Sequence, residues 1–120
     1  MKTILVVDDF QTTRKVIINA LAKFGFKTLE AGDGAEALTL FDGRAIDLVI
    51  TDFNMPVMDG ADLISAMRLV PQYAYIPALV LSTEIKDDKR SKAESAKITA
   101  WIQKPFDLEK FIKVVQKAIQ

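Results

Sequence analysis

The sequence contains neither cysteine nor histidine. Without cysteine there is no disulfide, no thiol nucleophile and no thiolate metal site, a composition compatible with a reducing compartment. Without histidine there is no Ser-His-Asp hydrolysis and no imidazole general base, so any phosphohistidine in this protein's chemistry must belong to a partner. A net charge of either sign is also missing: 16 Lys and Arg balance 16 Asp and Glu. No broad basic field is available for nucleic acid or acidic lipid, and neither is an expected partner. No apolar run approaches the ~20 residues of a membrane span, and Met1 to Val7 is too short and too soon followed by acid for a signal peptide. The expectation is a soluble, cytoplasmic protein. Its 120 residues suffice for one domain, 1–120, burying roughly two-thirds of the unfolded surface and leaving no room for a second module.

What is present is organised around one stretch, Asp47-Leu-Val-Ile-Thr-Asp52-Phe-Asn54-Met-Pro56-Val-Met-Asp-Gly60. Leu48 to Thr51 reads as a buried strand that delivers Asp52 to its carboxyl end, where open α/β sheets place their ligand sites. Thr3 to Val7 is a second apolar, β-branched run, and it ends in Asp8 and Asp9. From Thr13, Val16, Ile17, Ala20, Leu21 and Phe24 recur at helical spacing until Gly25. Lys27 to Glu30 is a short strand suited to an edge, and Asp33-Gly-Ala-Glu36 reads as a capping box for a helix carrying Ala37, Leu38 and Phe41 before Gly43. Asp59 caps a third helix through Leu63, Ile64 and Met67, and Pro71 and Pro77 bracket a connection. Ala78 to Leu81 is a strand ending in Ser82-Thr83-Glu84, and the charged stretch Lys86 to Lys97 is the weakest helix of the set. Ala100 to Gln103 is a fifth strand before Lys104-Pro105-Phe106, and Asp107 caps a last helix with Leu108, Phe111, Ile112, Val115 and Ile119 on one stripe. This alternation implies an α/β fold, a parallel sheet with helices on both faces.

Several strand ends therefore carry chemistry: Asp8 and Asp9, then Asp52, then Ser82 with Thr83, then Lys104. Adjacent strands lie ~4.8 Å apart, so groups just past their ends can share a site. Oxygen ligands alone favour a hard cation such as Mg²⁺. A carboxylate beside Mg²⁺ and a lysine is equipped to accept a phosphoryl group, with Ser82 donating to the product.

These residues resemble the receiver domain of two-component response regulators, and within it the chemotaxis, CheY-like type. The likeness rests on Val6-Val-Asp-Asp-Phe10, Asp52-Phe-Asn-Met-Pro56, Met58-Asp-Gly60, Ser82-Thr-Glu84 and Lys104-Pro-Phe106 in order and spacing. The resemblance, and not the periodicity, supplies a flavodoxin-like strand order 2-1-3-4-5. It implies Asp52 as phosphoacceptor from a histidine kinase, with Asp9 and Asp52 as direct Mg²⁺ ligands, Asp8 through water and Asn54 through its main-chain carbonyl. It implies Ser82 as the switch hydroxyl, or Thr83 one residue on, with Lys104 as ion-pair partner and Trp101 as an aromatic switch. Asn54 and Glu84 would tune the phosphate lifetime, Pro105 would follow a cis bond, and Gly60 would be structural. A monomer signalling to a protein target, such as the flagellar motor switch, is what the likeness suggests. Lys97-Ile98, where relatives usually have Gly-Ala, and the polar Gln103 depart from the family pattern near the last helices.

Each feature also has a plainer reading. Asp8 and Asp9 would serve as a capping pair, Lys104 as a solvated loop residue, Trp101 as core, and the Lys86 to Lys97 charges as a solvated face. A phosphorelay shuttle or a receiver cut from a longer chain fits the same sequence. A Mg²⁺-dependent phosphatase with an Asp nucleophile would want a second acid where Asn54 stands. A flavin or nucleotide carrier would have to seat phosphate beside Asp8 and Asp9.

Overall fold

The computed structural model describes residues 1–83 and 87–120, with the side chains of 87–89 outside the description. Strands β1 (Thr3–Val7), β2 (Lys27–Ala31), β3 (Leu48–Asp52), β4 (Ala78–Ser82) and β5 (Ala100–Gln103) alternate with helices α1 (Gln11–Lys23), α2 (Gly34–Leu38), α3 (Gly60–Arg68), α4 (Asp87–Ser95) and α5 (Leu108–Ile119). All strand pairs are parallel, in the order β2-β1-β3-β4-β5. That is the order implied by the family likeness.

The side chains of the central strands alternate between two cores. Ile4, Val6, Leu48, Ile50, Leu79 and Leu81 pack on α1 and α5 through Ile17, Leu21, Phe111, Ile112 and Val115. Leu5, Val7, Val49 and Val80 face the other way, toward Ala37, Leu63, Ile64, Met67 and Ala96. Covering both faces explains why β1, β3 and β4 read as unbroken apolar runs and are buried at every position. β2 and β5, at the edges, are only half-buried. Each fully buried Leu, Ile, Val or Phe contributes about 1.5–3 kcal/mol, so the sheet and the helices α1, α3 and α5 hold the fold. Among the described side chains of α4, the helix read as weakest, only Ala93 is buried, with Ala96 just past its end.

Three local expectations are corrected. The first helix starts at Gln11, before Thr13, and of its stripe only Ile17 and Leu21 are buried, while Val16 and Phe24 stay exposed. Leu108 of the last stripe is likewise exposed, beside Val16 and Phe24 in an apolar groove between α1 and α5. α2 stops at Leu38 instead of running to Gly43. Its chain tightens into i→i+3 bonds, with the N–H of Thr39, Leu40 and Phe41 donating to Glu36, Ala37 and Leu38 at 3.2, 3.0 and 3.3 Å. Phe41 is thereby turned edge-on against Tyr73, with ring centroids 4.9 Å apart, and a long-range aromatic contact overrides the local period. At Asp33 one half of the expected capping box is recorded, the bond from the Glu36 N–H at 2.7 Å. The reciprocal box forms at Asp59 and Asp62 ahead of α3.

Candidate functional site, an acidic notch at the sheet's switch point

From β1 the chain crosses to β2 on one side, whereas β3 leads to β4 on the other. A crevice opens where the strand order reverses, outside the carboxyl ends of β1 and β3. The residues delivered there are Asp8 and Asp9, just after β1, and Asp52, the last residue of β3. Ser82 ends β4, and its carbonyl accepts from the Lys104 N–H at 2.6 Å. The lysine stem spans the width of β4, so that Nζ stands 3.4 Å from both Asp8 Oδ2 and Asp52 Oδ1.

Asp8, Asp9 and Asp52 each offer an oxygen, all within 4.8 Å of one another. Asp8 and Ser82 are fully buried, Asp52 is 6% exposed and Asp9 is open to solvent. At such separations two carboxylates repel by about 3–4 kcal/mol for an effective dielectric near 20. Burial pushes the Asp52 carboxyl above its usual range, Lys104 opposes that shift, and Asp8 and then Asp9 add to it. One ammonium against three carboxylates leaves a net negative notch. Oxygens across an octahedral Mg²⁺ lie about 4 Å apart, close to the spacing found, so the all-oxygen donor set suits a small hard cation.

Of the other residues singled out in the sequence, Asn54 lies exposed in the loop after β3, and Thr83 is exposed beyond Ser82. Glu84 lies outside the described residues. Trp101 is half-buried, its ring 5.3 Å from that of Phe53, the neighbour of Asp52, and its indole N–H has no partner among the described residues. Lys104–Pro105 is cis. Gly60 presses on the end of β3: an added Cβ would lie 2.6 Å from the Asp52 carbonyl oxygen. Two features were not read from the sequence. Arg14 of α1 donates from Nη1 to the Asp8 carbonyl at 2.6 Å and from Nε to Glu30 of β2 at 2.8 Å. Lys92 of α4, expected on a solvated face, pairs with Asp59 and Asp62 at 2.8 and 2.9 Å. Both join residues far apart in sequence, which no helical or strand period records.

A family model described as response regulator receiver domain matches residues 4–116. The chain is 36% identical over 118 residues to the chemotaxis protein CheY of Pseudomonas aeruginosa, covering 98% of this chain and 95% of that one. Among solved structures, the chemotaxis protein CheY4 of Vibrio cholerae aligns with a TM-score of 0.93 at 35% identity over 98% of both chains. The receiver domain of a sensor histidine kinase from Pseudomonas aeruginosa, described with a magnesium ion coordinated in its active-site cleft, shares the fold. Its TM-score is 0.89 at 23% identity, over 98% of this chain and 97% of that one.

Proposed function

Because the chain belongs to the response regulator receiver domain family, which signals by phosphorylation, we propose that Asp52 accepts a phosphoryl group from a partner histidine kinase. The observation that carries this reading is Lys104 Nζ, poised 3.4 Å from both Asp8 and Asp52 at the end of the central strands. Ionised Asp52 attacks phosphorus while the N–P bond to the partner's imidazole breaks, the bonding pair returning to nitrogen. The Lys104 ammonium faces the phosphoryl oxygens, and the Ser82 hydroxyl donates to them. Mg²⁺, held by Asp8, Asp9, Asp52 and the Asn54 carbonyl, would neutralise charge on the transferring group. Water later cleaves the acyl phosphate, releasing inorganic phosphate and restoring the carboxylate. The chain is a signalling protein and not a classical enzyme; its only catalysis is of its own phosphorylation and dephosphorylation.

The buried position of Ser82, against exposed Thr83, favours Ser82 as the switch hydroxyl. Asn54, at the mouth of the site, would set access of water to the phosphate, with Glu84 as its counterpart. The output is a changed protein-binding surface in which Trp101, packed against Phe53, alters its packing when Asp52 is phosphorylated. A few kcal/mol of differential stabilisation suffices for such a shift. The names of the CheY relatives support a role in chemotaxis with a target such as the flagellar motor switch. Beryllofluoride, an acyl-phosphate mimic, tests the switch through the fluorescence of Trp101, the only tryptophan. The expected result is a change that requires Mg²⁺ and is lost in Asp52→Asn. An identical change in that variant would refute the assignment.

A further inference from the structure

The peptide unit joining Asp8 to Asp9 carries the Asp8 carbonyl, so whatever holds that carbonyl sets the angle between the two acids. Arg14 holds it, with Nη1 at 2.6 Å. The Arg14 side chain is 14% exposed, and its guanidinium is itself fixed by Glu30, whose Oε1 accepts from Nε at 2.8 Å while Oε2 accepts from Lys15 at 2.9 Å. Gly32 backs the same group: an added Cβ there would stand 3.5 Å from Nη1. The turn is pinned from its other side by the Phe10 N–H, which donates to Asp8 Oδ1 at 2.9 Å. Lys15 and then Arg14 hold the Glu30 carboxyl below its usual range, as a committed acceptor for both.

We propose that Arg14, oriented by Glu30, is a positioning residue that presets the Asp8–Asp9 peptide for divalent-cation binding, a role that rests on the metal site proposed above. Glu30, shared with Lys15, offsets the guanidinium charge only in part, and the remaining positive field would repel a cation, so a gain in cation affinity from Arg14 comes from geometry and not from its charge. Only a planar fork serves Glu30 from Nε and the carbonyl from Nη1 together. Lysine keeps the charge and loses the fork. Outer-shell partners of metal ligands commonly govern affinity by about 10-fold or more.

Mn²⁺ binding, followed by loss of the free-ion EPR signal and reversed by Mg²⁺, tests this at a temperature where unfolding curves show each variant folded. Arg14→Met is expected to weaken Mn²⁺ binding about 10-fold, with Arg14→Lys no better and Glu30→Gln, which retains an acceptor for Nε, in between. A purely structural role would lower the unfolding midpoint and leave the affinity of the folded chain unchanged. Affinities within about twofold of wild type in all three variants overturn the role of Arg14, since outer-shell control implies a larger loss. Wild-type protein that fails to bind Mn²⁺, or binds it equally as Asp52→Asn, overturns the metal site itself.

Discussion

Gly60 lies so close beneath the end of β3 that one methyl group decides the packing there. An added Cβ would meet the Asp52 carbonyl oxygen at 2.6 Å, the Phe53 Cα at 3.1 Å and the Thr51 Cγ2 at 3.2 Å. Two of these are backbone atoms, which no rotamer change moves. The Gly60 N–H also donates to the Phe53 carbonyl at 2.8 Å, so the start of α3 and the end of β3 are bonded as well as packed. Gly60→Ala is expected to lower stability by about 1–3 kcal/mol, the usual cost of overpacking, read as a lower urea midpoint with unchanged slope. Stability equal to wild type would show that the loop relaxes freely and that the close approach does not fix Asp52.

At the scale of the element, α4 differs from its neighbours in what holds it. Its described apolar anchors are Ala93 and Ala96, while Lys92 of its last turn reaches Asp59 and Asp62 and, just past that end, the Lys97 carbonyl accepts from Arg68 Nη2 at 2.9 Å. An element held by polar contacts opens more easily than one with a buried stripe. Lys92→Met should therefore speed amide exchange in α4 selectively. The pair is half-exposed and worth at most about 1 kcal/mol, roughly a fivefold change in the opening equilibrium. Lys92 holds the Asp62 carboxyl below the ordinary carboxylate value. With the folded pKa depressed, the contribution is complete above that value and disappears as pH falls through the lowered pKa. The difference between wild type and Lys92→Met should accordingly be present at neutral pH and vanish in acid. Equal exchange in α4 at neutral pH would remove the clamp from the account.

The limits of sequence reading fall at this scale too. β1, β3 and β4 were legible because strands covered on both faces must be apolar throughout, and α3 because Asp59 and the 3.6-residue period agree. α2 was overextended because Phe41 answers to Tyr73, 32 residues on, and not to its own turn. The acids of the notch were legible because each follows an apolar run. Their neighbours Arg14 and Lys92 were not, because an ion pair between distant segments leaves no local pattern.

Across the whole molecule, the reversal of strand order between β1 and β3 gathers Asp8, Asp9, Asp52, Ser82 and Lys104 at one rim of the sheet. Among the described residues no helix is long and apolar enough to cross a membrane. The notch is thus a product of topology, and the residues it collects span most of the chain. Its chemistry is tested by treating the protein with acetyl phosphate and Mg²⁺, reducing the product with borohydride, which converts an aspartyl phosphate to homoserine, and mapping peptides by mass. The account predicts homoserine at position 52 alone, formed only when Mg²⁺ is present and absent from Lys104→Met at early times. Modification at another acid, or equal modification of position 52 without Mg²⁺, would contradict it.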